Sequence, residues 1–85
     1  MPIFATLDGS IVIRVNSREH LPHHVHVEWR DEEALLCIAD GAIYAGSLTG
    51  HILATALTFI AANRAALTEA FFTQNPNLPR PRGLP

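Results

Sequence analysis

The sequence predicts an α+β fold: a four-stranded, mainly antiparallel sheet in meander order, with one long C-terminal helix packed on one face. Three observations carry this expectation. Short β-branched or alternating segments follow one another through the first half of the chain, joined by links too short for a crossover helix. A 3.6-residue apolar rhythm then runs from about Gly50 to about Thr73. The change of period happens once, with no internal repeat, so the strands precede the helix as in segregated α+β domains.

Taken in order, Phe4 to Leu7 reads as a short strand or an apolar anchor, and Asp8-Gly9 as a turn. Ile11 to Val15 is β-branched and reads as a strand, with Ile11, Ile13 and Val15 on one face. Asn16 to Pro22 is a polar loop. From His24 to Trp29 the alternation is strict: His24, His26 and Glu28 fall on one side, Val25, Val27 and Trp29 on the other. Arg30-Asp31-Glu32-Glu33 is a charged hairpin link, most simply a solvated turn. Ala34 to Ala39 is a strand apolar on both faces, and Asp40-Gly41 is the strongest short hairpin signal. Ala42 to Ala45 is the fourth strand, ended by Gly46. Ser47 or Thr49 can cap the helix, whose Leu53, Leu57, Ile60, Leu67 and Phe71 follow the period, with Arg64 at the rim. Pro76 stops it. The expected organisation is one domain over residues 1–75 and a Pro-rich, extended tail over 76–85.

One helix covers one face of a sheet. The strand at Ala34 to Ala39 is apolar on both, so either Leu35 and Cys37 or Leu36 and Ile38 point away from the helix. Strands buried on both faces read as continuous apolar runs, so a second chain or a partner is expected over part of the open face. A chain of 85 residues is also small enough to gain from oligomerisation.

Composition excludes several function classes. There is no lysine, and Arg80 and Arg82 lie in the tail; without them four arginines face eight acids, a formal charge of −4. Gripping phosphates takes clustered cations, so the body is a poor nucleic-acid binder. A single cysteine, Cys37, rules out an internal disulfide or a Cys-rich zinc site and fits a reducing compartment; set in an apolar strand, it reads as an inert thiol. Met1-Pro2-Ile3-Phe4 lacks the basic start of a signal peptide. The apolar part of the helix, Ile52 to Ala62, is about half the ~20 residues a bilayer needs. These features point to a cytoplasmic protein with no membrane role.

The block from His20 to Trp29 holds four of the five histidines and the only tryptophan. Together with Met1-Pro2-Ile3-Phe4, Asp8-Gly9, Glu33-Ala34, Gly46-Ser47-Leu48, Asn63-Arg64 followed by Leu67, Glu69 and Phe71, and the closing Pro-and-Leu tail, it resembles the bacterial family DUF4160, a domain of unknown function. The resemblance covers essentially the whole chain, the histidine block being its most specific part. It implies a small α+β protein, and relatives encoded beside a second small protein in toxin–antitoxin-like pairs. Where relatives often carry basic residues at the helix start and a second proline in the block, this chain has Thr49-Gly50-His51 and His23. That departure weakens any role for a basic helix face.

Three chemical readings of the block follow. His24 and His26 lie roughly 6–7 Å apart along one strand face, so with His20 folding over from the loop they form a candidate metal site. Its cofactor would be a divalent transition metal such as zinc. The candidate catalytic set is His24, His26 and Glu28, a histidine oriented by a carboxylate, in a metal- or histidine-dependent hydrolase of ribonuclease type. The plainer reading is a polar strand face turned to solvent or a partner, because alternation alone explains the pattern. The leading expectation is therefore a self-associating module, a homo-oligomer (dimer) that binds a small protein partner through the open sheet face or an edge strand.

Overall fold

The computed structural model describes residues 3–80. Among them are five strands, β1 (Ile3–Leu7), β2 (Ile11–Arg14), β3 (His24–Trp29), β4 (Glu32–Cys37) and β5 (Ile43–Ser47), followed by α1 (Gly50–Ala62) and α2 (Arg64–Gln74). The strands form one antiparallel sheet in the order β1-β2-β3-β4-β5. The α+β class and the meander stand. The strand count and the single helix are corrected.

The fifth strand is the Phe4 to Leu7 segment, which pairs with β2 across the Asp8-Gly9 turn. Both turn residues take positive φ (50° and 73°), and the Ser10 N–H closes the turn on the Leu7 carbonyl at 3.0 Å. That pair of left-handed residues matches the twist of an antiparallel ribbon. Phe4 is an extra residue between Ile3, opposite Arg14, and Ala5, opposite Ile13; its ring meets Phe59 of α1 edge-on.

The long helix breaks at Asn63 (φ −126°, ψ 24°). Its side-chain amide donates to the Phe59 carbonyl at 2.9 Å, and its single backbone N–H is shared between the carbonyls of Phe59 and Ile60 at 3.0 and 3.2 Å. A short polar side chain that bonds the backbone locally competes with helical continuation. Beyond the break, Arg64 Nε donates to the Ile38 carbonyl at 2.7 Å, which ties the start of α2 to the end of β4. A periodic apolar pattern with no Gly or Pro at the joint carries no signal for this.

The core lies between the helices and one sheet face. Ile11, Ile13 and Val15, Val25 and Val27, and Ala34, Leu36 and Ile38 are buried there against Ile52, Ala56, Ile60, Leu67, Phe71 and Phe72. Trp29 packs at its margin. Leu53 and Leu57, expected as core, are only partly buried, because the buried stripe of α1 runs through Ile52, Ala56 and Ile60. Leu35 and Cys37 are the pair turned to the open face. Of the expected tail, residues 81–85 lie outside the described residues. Before them Leu78 packs on the core and Arg80 reaches Glu69 and the Phe72 ring, so this part folds back onto α2. No helix among the described residues is long and apolar enough to cross a membrane.

Candidate functional site

The register of the sheet sets one side of the site. Arg14, His26, Leu35 and Ala45 lie in one row across β2, β3, β4 and β5, with His24 opposite Cys37 in the next row. At β5 the pairing slips, since Leu36 faces Ile43 while Leu35 faces Ala45, leaving Tyr44 as a bulge residue. A bulge re-aims a side chain, and here the Tyr44 ring stacks on His24 (centroids 5.7 Å, planes 25° apart) and approaches His20 at 5.6 Å.

The loop between β2 and β3 supplies the other side. Arg18, at φ 59°, turns the chain just before Glu19. Asn75, buried at the end of α2, then holds the loop from below. Its amide donates to the carbonyls of Asn16 and Phe71, both at 2.9 Å, and its oxygen accepts from the Glu19 N–H at 2.8 Å. The Glu19 carboxylate is thereby set against β3: Oε2 is 2.5 Å from His26 Nε2 and Oε1 is 3.3 Å from His24 Nε2.

The histidine tautomers follow from their partners. His24 Nδ1 lies 2.7 Å from the Pro22 carbonyl, which can only accept, so Nδ1 carries a proton. That leaves Nε2 as the nitrogen facing Glu19. It is buried, its residue only 1% exposed, and it has no hydrogen-bond partner among the described residues. His26 Nδ1 lies 3.1 Å from Glu33 Oε2, so this ring stands between two carboxylates. Burial on its own would raise the Glu19 pKa. The hydrogen bond and charge of His26, joined by the nearby His24 ring, outweigh it and hold the carboxyl below its ordinary value. The site therefore keeps an ionised carboxylate facing two imidazole nitrogens, an arrangement suited to binding a cation or passing a proton.

The residues singled out by sequence separate here. His24 and His26 share the strand face, their ring centroids 5.4 Å apart. His20 stays at the edge, its Nδ1 3.2 Å from the Leu21 carbonyl and its ring 5.6 Å from that of His24. Glu28 shares the face but is bonded to Arg14 Nε at 3.1 Å. The carboxylate at the two histidines is that of Glu19, and Glu33 is the acid behind His26. Sequence reasoning passed over both, along with Tyr44 and Asn75. Glu19 directly precedes the block, but only the loop fold brings it back onto β3. The acidic link does not behave as a solvated turn either: Glu32 accepts from the N–H and hydroxyl of Thr49 at 2.6 and 2.7 Å, clamping the start of α1. Thr49 makes no side-chain cap bond of its own.

No curated protein and no solved structure gives a significant match to this chain. A family does. The domain of unknown function DUF4160 matches residues 10–71, from the start of β2 to near the end of α2, with Glu19 and the whole histidine block inside the match. The chain belongs to the DUF4160 family.

Proposed function

We propose that this protein is a self-associating interaction module whose contact surface is the open sheet face beside the histidine block. The observation that carries the reading is exposed apolar surface beside the block: Tyr44 is 45% exposed and Leu21 is 39% exposed, while Ile43, opposite core-facing Leu36, lies at the outer edge of the helix-side face. Tyr44 and His20 touch each other and His24, so the block borders this surface directly. Leu35 and Cys37 extend it across β4. Face-to-face contact fits better than strand addition, because the Tyr44 bulge and the positive φ of Gly46 (79°) interrupt the outer ladder of β5. The module forms a two-fold dimer and takes a small protein partner, as one member of a toxin–antitoxin-like pair in the bacterial cytoplasm.

Light scattering on purified protein at micromolar concentration tests the reading, with a dimer expected. Burying the exposed half of Tyr44 is worth roughly 1 kcal/mol, and a two-fold interface counts it twice. Tyr44→Ser should therefore weaken dimerisation about thirtyfold. A strictly monomeric wild-type protein would sink the proposal.

The Glu19–His26–Glu33 chain favours a second reading, a histidine-dependent hydrolase of ribonuclease type, with Glu19 or His26 as the proton-transfer group. Under that reading, RNA cleavage should disappear in the His24→Ala, His26→Ala double variant. Cleavage surviving both changes removes it.

A further inference from the structure

We infer that Glu19, His24 and His26 form a three-ligand site for one divalent transition-metal ion, with zinc the best match to its donors. Their ligand atoms all lie within 4.8 Å of one another. Proximity alone is weak, since acids and histidines often meet on a surface. The second observation is His24. Its side chain is completely shielded from solvent, its Nδ1–H is committed to the Pro22 carbonyl, and its Nε2 points at Glu19 with no hydrogen-bond partner among the described residues.

A buried lone pair aimed at an ionised carboxylate is unfavourable unless a cation stands between them. A proton can serve His26, whose 2.5 Å contact with Glu19 is a short hydrogen bond. It does not serve His24, whose 3.3 Å separation from Glu19 Oε1 lacks hydrogen-bond geometry. That separation does suit a shared ion, because ligands bonded at about 2.0–2.1 Å to tetrahedral zinc lie about 3.3 Å apart. The His26–Glu19 pair needs to open by less than an ångström, and Glu19 reaches the site from a loop.

The outer partners fit as well. A metal-bound histidine usually donates its other N–H to a carbonyl or carboxylate, which fixes the tautomer and strengthens the ligand. His24 donates to the Pro22 carbonyl and His26 to Glu33. Asn75 anchors the backbone of Glu19. Two nitrogens and a carboxylate leave a fourth position open on the exposed side, between Glu19 and His26, whose side chains keep 14% and 16% of their surface. A ligand atom from water, a substrate or a partner would complete the shell. His20 and Glu28 take no part.

The test is a titration of the chelator-treated full chain with cobalt(II) chloride, read by visible absorption, and with zinc chloride, read by calorimetry. The expected result is about one ion per chain, with the intense d–d bands of a four-coordinate cobalt site. Binding should fall at least a hundredfold in His26→Gln. It should weaken about 10- to 100-fold in Glu33→Gln, a change at a half-exposed side chain that leaves every ligand and the core in place. The double variant His20→Gln, His51→Gln should bind as the wild type does. No saturable binding below about 1 mM would overturn the site, as would binding that survives His26→Gln or depends on His20 or His51 instead. The titration is independent of the light-scattering result, so the metal site and the interaction reading can fail separately.

Discussion

His23 and His24 are neighbours in the chain and both are buried, yet their surroundings give them opposite uses. His24 faces Glu19 and sits among His20, His26 and Tyr44. His23 packs on the rings of Phe71 and Phe72, and its Nε2 has no hydrogen-bond partner among the described residues. Burial, with help from the neighbouring His24 and against the pull of Asp40, pushes the His23 pKa below its ordinary 6.5. A depressed histidine stays neutral in the folded state while the unfolded chain accepts a proton. Its contribution to stability is therefore complete above 6.5 and is lost as pH falls through the folded value. Glu19, also depressed, acts in the same direction at lower pH, its contribution complete above 4.5 and lost as pH falls through its folded value. Urea unfolding at several pH values should show stability declining below about 6.5, with His23 supplying a slope of at most about 1.4 kcal/mol per pH unit. His23→Leu should remove that part of the decline, and an unchanged slope in the variant would contradict the assignment.

At the scale of elements, β5 depends on one glycine. Gly46 sits at φ 79°, and a Cβ there would lie 2.2 Å from the Glu33 carbonyl oxygen, which is backbone and cannot swing aside. Gly46→Ala should destabilise the fold by about 3 kcal/mol in chemical unfolding, because left-handed strain adds to a contact that must push β5 off β4. The paired control is Gly50→Ala at the first position of α1, where nothing lies within 4 Å of a Cβ and φ is ordinary. It should be neutral or stabilising by up to about 1 kcal/mol. Equal effects of the two changes would show that the close approach at Gly46 costs little. The Asp40-Gly41 signal illustrates the limits of local reading. It does mark a reversal, with Asp40 Oδ1 accepting from the Ala42 N–H at 3.0 Å, but the connection spans residues 38–42 instead of two. Local turn chemistry locates a bend without fixing which strand residues close it.

For the molecule as a whole, both helices lie on the same sheet face, α1 against β2 and α2 against β3. The opposite face carries the row from Arg14 to Ala45, Tyr44 and the histidine cluster; the loop bearing Glu19 covers His24 and His26, and no helix among the described residues packs over the remainder. A domain this small stabilises itself when a second copy covers such a surface. Dimerisation coupled to folding makes the midpoint of thermal unfolding rise with protein concentration. The wild-type protein should show that rise in calorimetry between about 5 and 200 μM, and Tyr44→Ser should reduce it.

Alternation in β3, the β-branched run in β2 and the late 3.6-residue rhythm were enough to determine the α+β class, the order of elements and the side of β3 on which His24 and His26 lie. These patterns are local, with periods of two and 3.6 residues that any short window contains. The tertiary structure alone decided the rest. Asn63 broke the helix through a side-chain bond to Phe59, and the bulge at Tyr44 turned its ring onto His24. Asn75 reached back 56 residues to hold Glu19 against both histidines, with Glu33 behind His26. A third ligand delivered by a loop has no fixed spacing from the strand it serves, so its identity is set by the long-range contacts that shape the loop and not by its position in the chain.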